Sequence, residues 1–156
     1  MTAVLRRLRW WDIDACLELE RELFEGDAWS AELFWSELAQ HESRHYVVAV
    51  DAGRVVGYAG LAVTDDEGYI QTIGVTTGAQ RRGIGSALMA DLMAAAAAGG
   101  ATRVGLEVRT DNTGAHELYR RFGFAPVGVR RGYYQPSGAD ALVMMSDRVP
   151  ADGVTS

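Results

Sequence analysis

The stretch Val75-Thr76-Thr77-Gly78-Ala79-Gln80-Arg81-Arg82-Gly83-Ile84-Gly85-Ser86 decides how this chain is read. It follows a β-rich run, Tyr69–Val75, and opens a long apolar helix predicted to reach about Ala98, where Gly99-Gly100 closes it. A strand-to-helix junction gathers free backbone N–H groups and the positive end of the helix dipole in one place. Gly83 and Gly85 admit an anion close to that backbone, and Arg81 and Arg82 add charge. Together they make a pyrophosphate cradle, while turn chemistry alone also accounts for a glycine pair at a helix start. A dinucleotide fingerprint would need a third small residue at position 88, where Leu88 stands. The chain has no lysine, which removes a P-loop reading, because that motif sets a lysine on the phosphates.

Upstream, Thr2–Arg9 predicts a short strand. Asp12 is placed to cap a helix over Ile13–Phe24, and Ser30 a second helix to about Gln40. His45–Val50 and Arg54–Thr64 read as strands joined at Ala52-Gly53, and Asp65-Asp66-Glu67-Gly68 turns the chain into Tyr69–Val75. Downstream come a strand Arg103–Arg109 and a helix Thr113–Phe122 capped by Asn112 and ended by Gly123. Strands near Phe124–Val129 and Ala141–Ser146 complete the set. The order β-αα-βββ-α-β-α-ββ predicts an α/β (α+β) fold, one mixed sheet flanked by helices. One domain over 1–149 and a disordered polar tail over 150–156 are expected.

At 156 residues and 48% hydrophobic, the chain has enough apolar material for one core. No apolar stretch is long enough to span a bilayer, and none follows Arg6, Arg7 and Arg9 as a signal peptide requires. Cys16 is the only cysteine, which excludes an internal disulfide and a cysteine-based zinc site. His41, His45 and His116 lack metal-ligand spacing, so no metal is expected, and a cytoplasmic location is. The net charge of -6 argues against nucleic-acid binding through phosphates. Fourteen acids face three arginines between Asp12 and Glu67, whereas residues 68–156 balance at +2. An acidic front half suits a cationic partner and a mildly basic back half an anionic cofactor; a solvated acidic face explains the front half equally simply.

Leu106-Glu107-Val108-Arg109 alternates, so Glu107 and Arg109 share a face opposite Val104, Leu106 and Val108. A carboxylate on an inner strand needs a partner or a purpose. It is either paired with Arg109 on a wet part of the sheet or a catalytic base. Tyr119, on the following helix, reads by itself as a core aromatic beside Leu118 and Phe122.

Gln80-Arg-Arg-Gly-Ile-Gly85 resembles the Q/R-x-x-G-x-G/A motif of the GNAT acetyltransferases, after the fourth strand and opening the third helix as in that fold. Leu106-Glu-Val-Arg-Thr-Asp-Asn112, Ala-His-Glu-Leu-Tyr119, Gly123-Phe124 and Arg130-Arg131-Gly132-Tyr133-Tyr134 are similar to the signature of the RimI family, the ribosomal-protein-alanine N-acetyltransferases. The likeness runs from about residue 5 to 148. It implies a mixed, mostly antiparallel sheet of about seven strands with four helices, and acetyl-CoA as co-substrate without a metal. It also implies the N-terminus of a ribosomal or other basic protein as partner, a monomer or weak dimer, and neither nucleic acid nor membrane as partner.

By the same resemblance, backbone amides of Arg81, Arg82, Gly83, Ile84, Gly85 and Ser86 hold the pyrophosphate. Ile73, Gly74 and Val75 would bond the pantetheine arm, with Asn112 also on the cofactor. Glu107 would be general base and Tyr119 general acid, with the Val75 N–H as oxyanion donor. Glu20, Glu22, Glu25 and Asp27, near Trp29, are expected to steer the peptide, and Tyr133 and Tyr134 to line its groove. Gly74, Thr76, Thr77 and Gly78 depart from the family's common I-A-V-D-P run, which predicts a looser strand end and loop. Two other readings stand beside this one. The first is a GNAT enzyme for a small amine or a lysine side chain, and the second a non-catalytic acyl-CoA-binding module.

Overall fold

The computed structural model describes residues 3–24 and 26–150. Within that range the strands are β1 Val4–Arg7, β2 Arg44–Asp51, β3 Arg54–Thr64, β4 Glu67–Val75, β5 Arg103–Arg109, β6 Ala125–Arg130 and β7 Ala141–Ser146. The helices are α1 Ile13–Leu23, α2 Ala31–Leu38, α3 Ile84–Ala98 and α4 Thr113–Arg121, with short 3₁₀ turns at Trp10–Asp12 and Thr77–Ala79. The element order is the one expected from sequence. One sheet runs β1-β2-β3-β4-β5-β7-β6. All its neighbours are antiparallel except β4 and β5. Of the expected disordered tail, 151–156 lies outside the described residues.

Two local expectations need correction. Asp12 does not cap α1 with its side chain. Its carboxylate reaches backward, accepting from the Arg9 N–H at 2.8 Å and pairing with Arg6, because the chain turns there before the helix begins. The turn expected over Asp65–Gly68 is shorter, since Glu67 and Gly68 already pair with Thr64 and Val63 as the start of β4. Ser30 does cap α2, accepting from the Leu33 N–H at 3.1 Å.

Helices cover both faces of the sheet, and each cover has its own core. Leu88, Met89, Leu92 and Met93 of α3 pack with Val104, Leu106 and Met144 on one face. Ile13, Cys16 and Leu19 of α1 pack with Phe34, Tyr46, Val48 and Tyr58 on the other.

Two irregularities open the sheet. The parallel β4–β5 ladder exists only where Glu67–Tyr69 face Arg103–Gly105, so beyond it the strands part. In β4, Gly60 faces Thr72 while Leu61 faces Ile70, which leaves Gln71 as the extra residue of a bulge that bends the strand. Tyr46 lies flat on Gly60, where a Cβ would come within 2.1 Å of its ring. From there the Tyr46 hydroxyl donates to Glu37 Oε1 at 2.6 Å, and the same oxygen accepts from Gln71 Nε2 at 3.0 Å. Glu20 holds the next residue, accepting from Thr72 Oγ1 at 3.1 Å. Two buried carboxylates, one from each of α1 and α2, therefore pin the bend.

Candidate active site

The parted strands enclose a cleft of about 1040 Å³. Ile70–Val75 form one wall and Leu106–Arg109 the other, with Leu23 and Phe24 of α1, residues of α4 and the loop before α3 around them. Ile73, Gly74, Val75, Arg81, Gly83, Gly85, Ser86, Glu107, Asn112, Tyr119, Asp27, Trp29 and Tyr134 all line it. Four expected residues do not, Glu22 among them. The Arg82 guanidinium turns to Asp51 at 2.6 Å, Ile84 is in the core, and Tyr133 lies at the surface beneath Arg130. Glu25 lies outside the described residues.

The loop before α3 has the local geometry of an anion cradle. Arg81 and Gly83 both adopt left-handed backbone, with φ of 65° and 80°, and such alternation turns successive N–H groups into one concavity. Glycine meets that demand at 83, and a Cβ there would point into open space. The Ala87 N–H makes a helical bond to Gly83 O, so the N–H groups of Ile84, Gly85 and Ser86 precede the intrahelical ladder. These donors and the dipole of a 15-residue helix fit the diphosphate of a coenzyme.

Along β4, the Thr76 N–H bonds Val56 O across to β3, so Thr76 and Val56 form a hydrogen-bonded pair. Antiparallel alternation then turns the N–H groups of Ile73 and Val75 away from β3, toward the cleft. Gln80 Nε2 donates to the Val75 carbonyl at 3.0 Å and ties loop to strand.

Across the cleft, the Glu107 side chain is only 6% exposed, and its nearest cation is Arg130, 3.5 Å from Oε1. Its other oxygen, Oε2, is buried without a hydrogen-bond partner among the described residues. Burial pushes the Glu107 carboxyl above its ordinary range, and Arg130 offsets part of that. The pairing with Arg109 considered from sequence does not form. Arg109 instead donates to Asp27 Oδ2 at 3.0 Å and to Asp111 Oδ1 at 3.1 Å. Tyr119 is buried against Phe124, and burial, with Tyr134 adding, pushes its phenol well above the usual range.

The acids expected to steer a substrate have structural partners. Asp27 accepts from Ser137 Oγ at 2.7 Å and the Ser137 N–H at 3.2 Å as well as from Arg109, joining the α1–α2 loop to the β6–β7 loop. Burial would raise its carboxyl, but those donors hold it below the usual range. Glu20 is not on a solvated face. It is 1% exposed, accepts from the Trp29 N–H at 2.8 Å and from the Tyr58 hydroxyl, and lines the cleft. The helical spacing Ile13-Cys16-Glu20 carried that signal, since Glu20 lies on the buried stripe of α1. Asn112 caps α4 by accepting from the Ala115 N–H at 3.3 Å. Cys16 is fully buried and outside the cleft lining, its thiol pushed up to about 12 by burial.

A sheet parted between its fourth and fifth strands, with a glycine-bearing anion cradle opening the third helix, builds a cleft suited to a coenzyme that carries a diphosphate. The acetyltransferase (GNAT) family profile matches residues 10–124. The N-alpha-acetyltransferase RimI of Mycobacterium tuberculosis is 46% identical over 141 residues, covering 87% of each chain. The ribosomal protein bS18-alanine N-acetyltransferase of Escherichia coli is 32% identical over 116 residues, covering 70% of this chain and 78% of that one. A crystal structure of the Escherichia coli ribosomal-protein-S18-alanine N-acetyltransferase superposes with a TM-score of 0.83 at 28% identity, covering 99% of both chains. The chain belongs to the GNAT acetyltransferases, and within them to the RimI N-acetyltransferases. Among the described residues no helix is long and apolar enough to cross a membrane.

Proposed function

We propose that this enzyme acetylates the α-amine of an N-terminal alanine on a ribosomal protein, using acetyl-CoA. The observation that carries the reading is Glu107, a buried carboxylate with one oxygen unpartnered among the described residues, on the wall of a cleft whose far end is an anion cradle. The 46% identity to a RimI N-alpha-acetyltransferase supports the acceptor class. When bound, acetyl-CoA supplies the acetyl group as an activated thioester. The N–H groups from Arg81 to Ser86 hold its diphosphate, and the backbone of Ile73 to Val75 bonds its arm. The Val75 N–H faces the cleft as a donor to developing negative charge on the acyl oxygen.

Glu107 Oε2 takes the proton of the incoming amine. A free α-amine has a pKa of about 7.7–8.0 against about 10.4 for lysine, so roughly a fifth to a third is already neutral near pH 7.4. A carboxylate base of raised pKa suffices to complete that deprotonation. The Tyr119 phenol keeps its proton at neutral pH, because burial disfavours the phenolate. It therefore acts chiefly as a hydrogen-bond donor toward the departing sulfur. Tyr119→Phe should lower kcat by about 10²-fold, the lower end of the usual acid–base range, while the melting temperature stays near the parent's. A stopped assay of thiol release checks this, and an unchanged kcat would remove Tyr119 from the chemistry.

The acceptor is tested with acetyl-CoA and peptides that begin Ala-Arg and carry an internal lysine, read by fragment mass spectrometry. Label on the first nitrogen alone is the expected result. Label on lysine alone would transfer the assignment to a side-chain acetyltransferase, and no label with coenzyme still bound to a non-catalytic acyl-CoA module.

A further inference from the structure

Glu22, expected from sequence to face a substrate, instead reaches the beginning of the pyrophosphate loop. Its Oε2 accepts from the Thr77 N–H at 2.7 Å and from Thr77 Oγ1 at 2.8 Å, and its Oε1 accepts from Thr76 Oγ1 at 3.0 Å. The Thr77 N–H above all holds this carboxyl below its ordinary range, so it is ionised at neutral pH. Thr76 and Thr77 are the positions where the family's run has Asp-Pro, and Gly74 is where it has alanine. Those departures share one geometry. An alanine methyl at Gly74 would sit 2.7 Å from Leu23 Cδ1 and 3.0 Å from the Tyr58 hydroxyl. Leu23 and Tyr58 fill the space over Gly74, and from the same last turn of α1 Glu22 reaches two hydroxyls and a main-chain donor. The strand end and loop are therefore held from outside rather than loosened.

We propose that Glu22 is a positioning residue for the coenzyme, tying α1 to the entrance of the cradle through Thr76 and Thr77. This rests on the acetyl-CoA reading above. Leu23 and Phe24, next to Glu22, line the cleft, so the same clasp fixes the α1 wall relative to the diphosphate site.

The test uses the full chain and two variants, Glu22→Ala and Glu22→Gln. CoA affinity is measured by titration calorimetry, and KM for acetyl-CoA and kcat at saturating peptide. Loss of a charged acceptor serving several donors predicts CoA affinity weaker by roughly tenfold in Glu22→Ala and by about threefold in Glu22→Gln. KM should rise in parallel and kcat stay within about twofold, because the reacting groups are untouched. Equal CoA affinities for parent, Glu22→Gln and Glu22→Ala would overturn the proposal. A parent chain that binds no CoA would instead sink the acetyl-CoA reading itself, which keeps the two failures apart.

Discussion

Glu107→Gln lowers kcat by roughly 10²–10³-fold and leaves KM for acetyl-CoA within a few-fold, because glutamine keeps the shape and removes the base. Rapid-quench measurement of acetyl transfer to an alanine-initiated peptide checks it. The pH profile gives a second readout. The parent's rate falls as pH drops through the Glu107 pKa, which burial sets above the usual carboxylate range, so the acidic limb lies above about pH 4.3. In Glu107→Gln that limb should vanish, leaving only the fall in rate that protonation of the substrate α-amine causes as pH drops below about 8. Stability moves the other way. A carboxyl whose folded-state pKa is raised binds its proton more tightly when folded, so its contribution is present at low pH and lost as pH rises through the folded pKa. Glu107→Gln should therefore melt at or above the parent's temperature at neutral pH. A variant that keeps its rate and its acidic limb would show that another group takes the proton.

Glu20→Ala has the largest expected effect on the fold. It strips the acceptor from three donors at once: the Tyr58 hydroxyl, Thr72 Oγ1 and the Trp29 N–H. Tyr58 and Glu20 are fully buried, so water does not readily replace the lost carboxylate. Unpaired buried donors and the cavity together predict a loss of roughly 3–5 kcal/mol. For a domain of this size that lowers the melting temperature by about 10 °C. Thermal unfolding by circular dichroism measures it. A shift of only a degree or two would mean that the bulge at Gln71 holds without Glu20. Because Thr72 belongs to the β4 wall of the cleft, the surviving folded protein should also lose CoA affinity.

Much of the fold could be read from sequence because its signals are local. Ser30, Asn112, Gly99-Gly100 and Gly123 mark helix ends through backbone rules that act within a few residues. The alternation of Val104, Leu106 and Val108 against Glu107 and Arg109 gave the two faces of β5 for the same reason. The buried acids were harder. Glu20 and Glu37 sit on apolar stripes, three or four residues from Cys16 and Phe34, yet composition made them look like part of a solvated acidic face. Apart from the Trp29 N–H, their hydroxyl and amide partners come from β2, β3 and β4, and no local pattern reveals those.

The order of elements and the junction that opens α3 follow from backbone conformation and short-range spacing, and so are legible in one dimension. Glu107 and Tyr119 stand out only through the family resemblance, because spacing alone leaves an ion pair and a core aromatic as equally good readings. Which charges meet is a matter of three-dimensional packing. Arg109 joins Asp27 across 82 residues of chain instead of Glu107, Arg130 stands at Glu107, and Glu22 holds Thr77. Such pairings depend on strand register and on how closely a helix can approach the sheet. A bulge at Gln71 and a missing methyl at Gly74 set both.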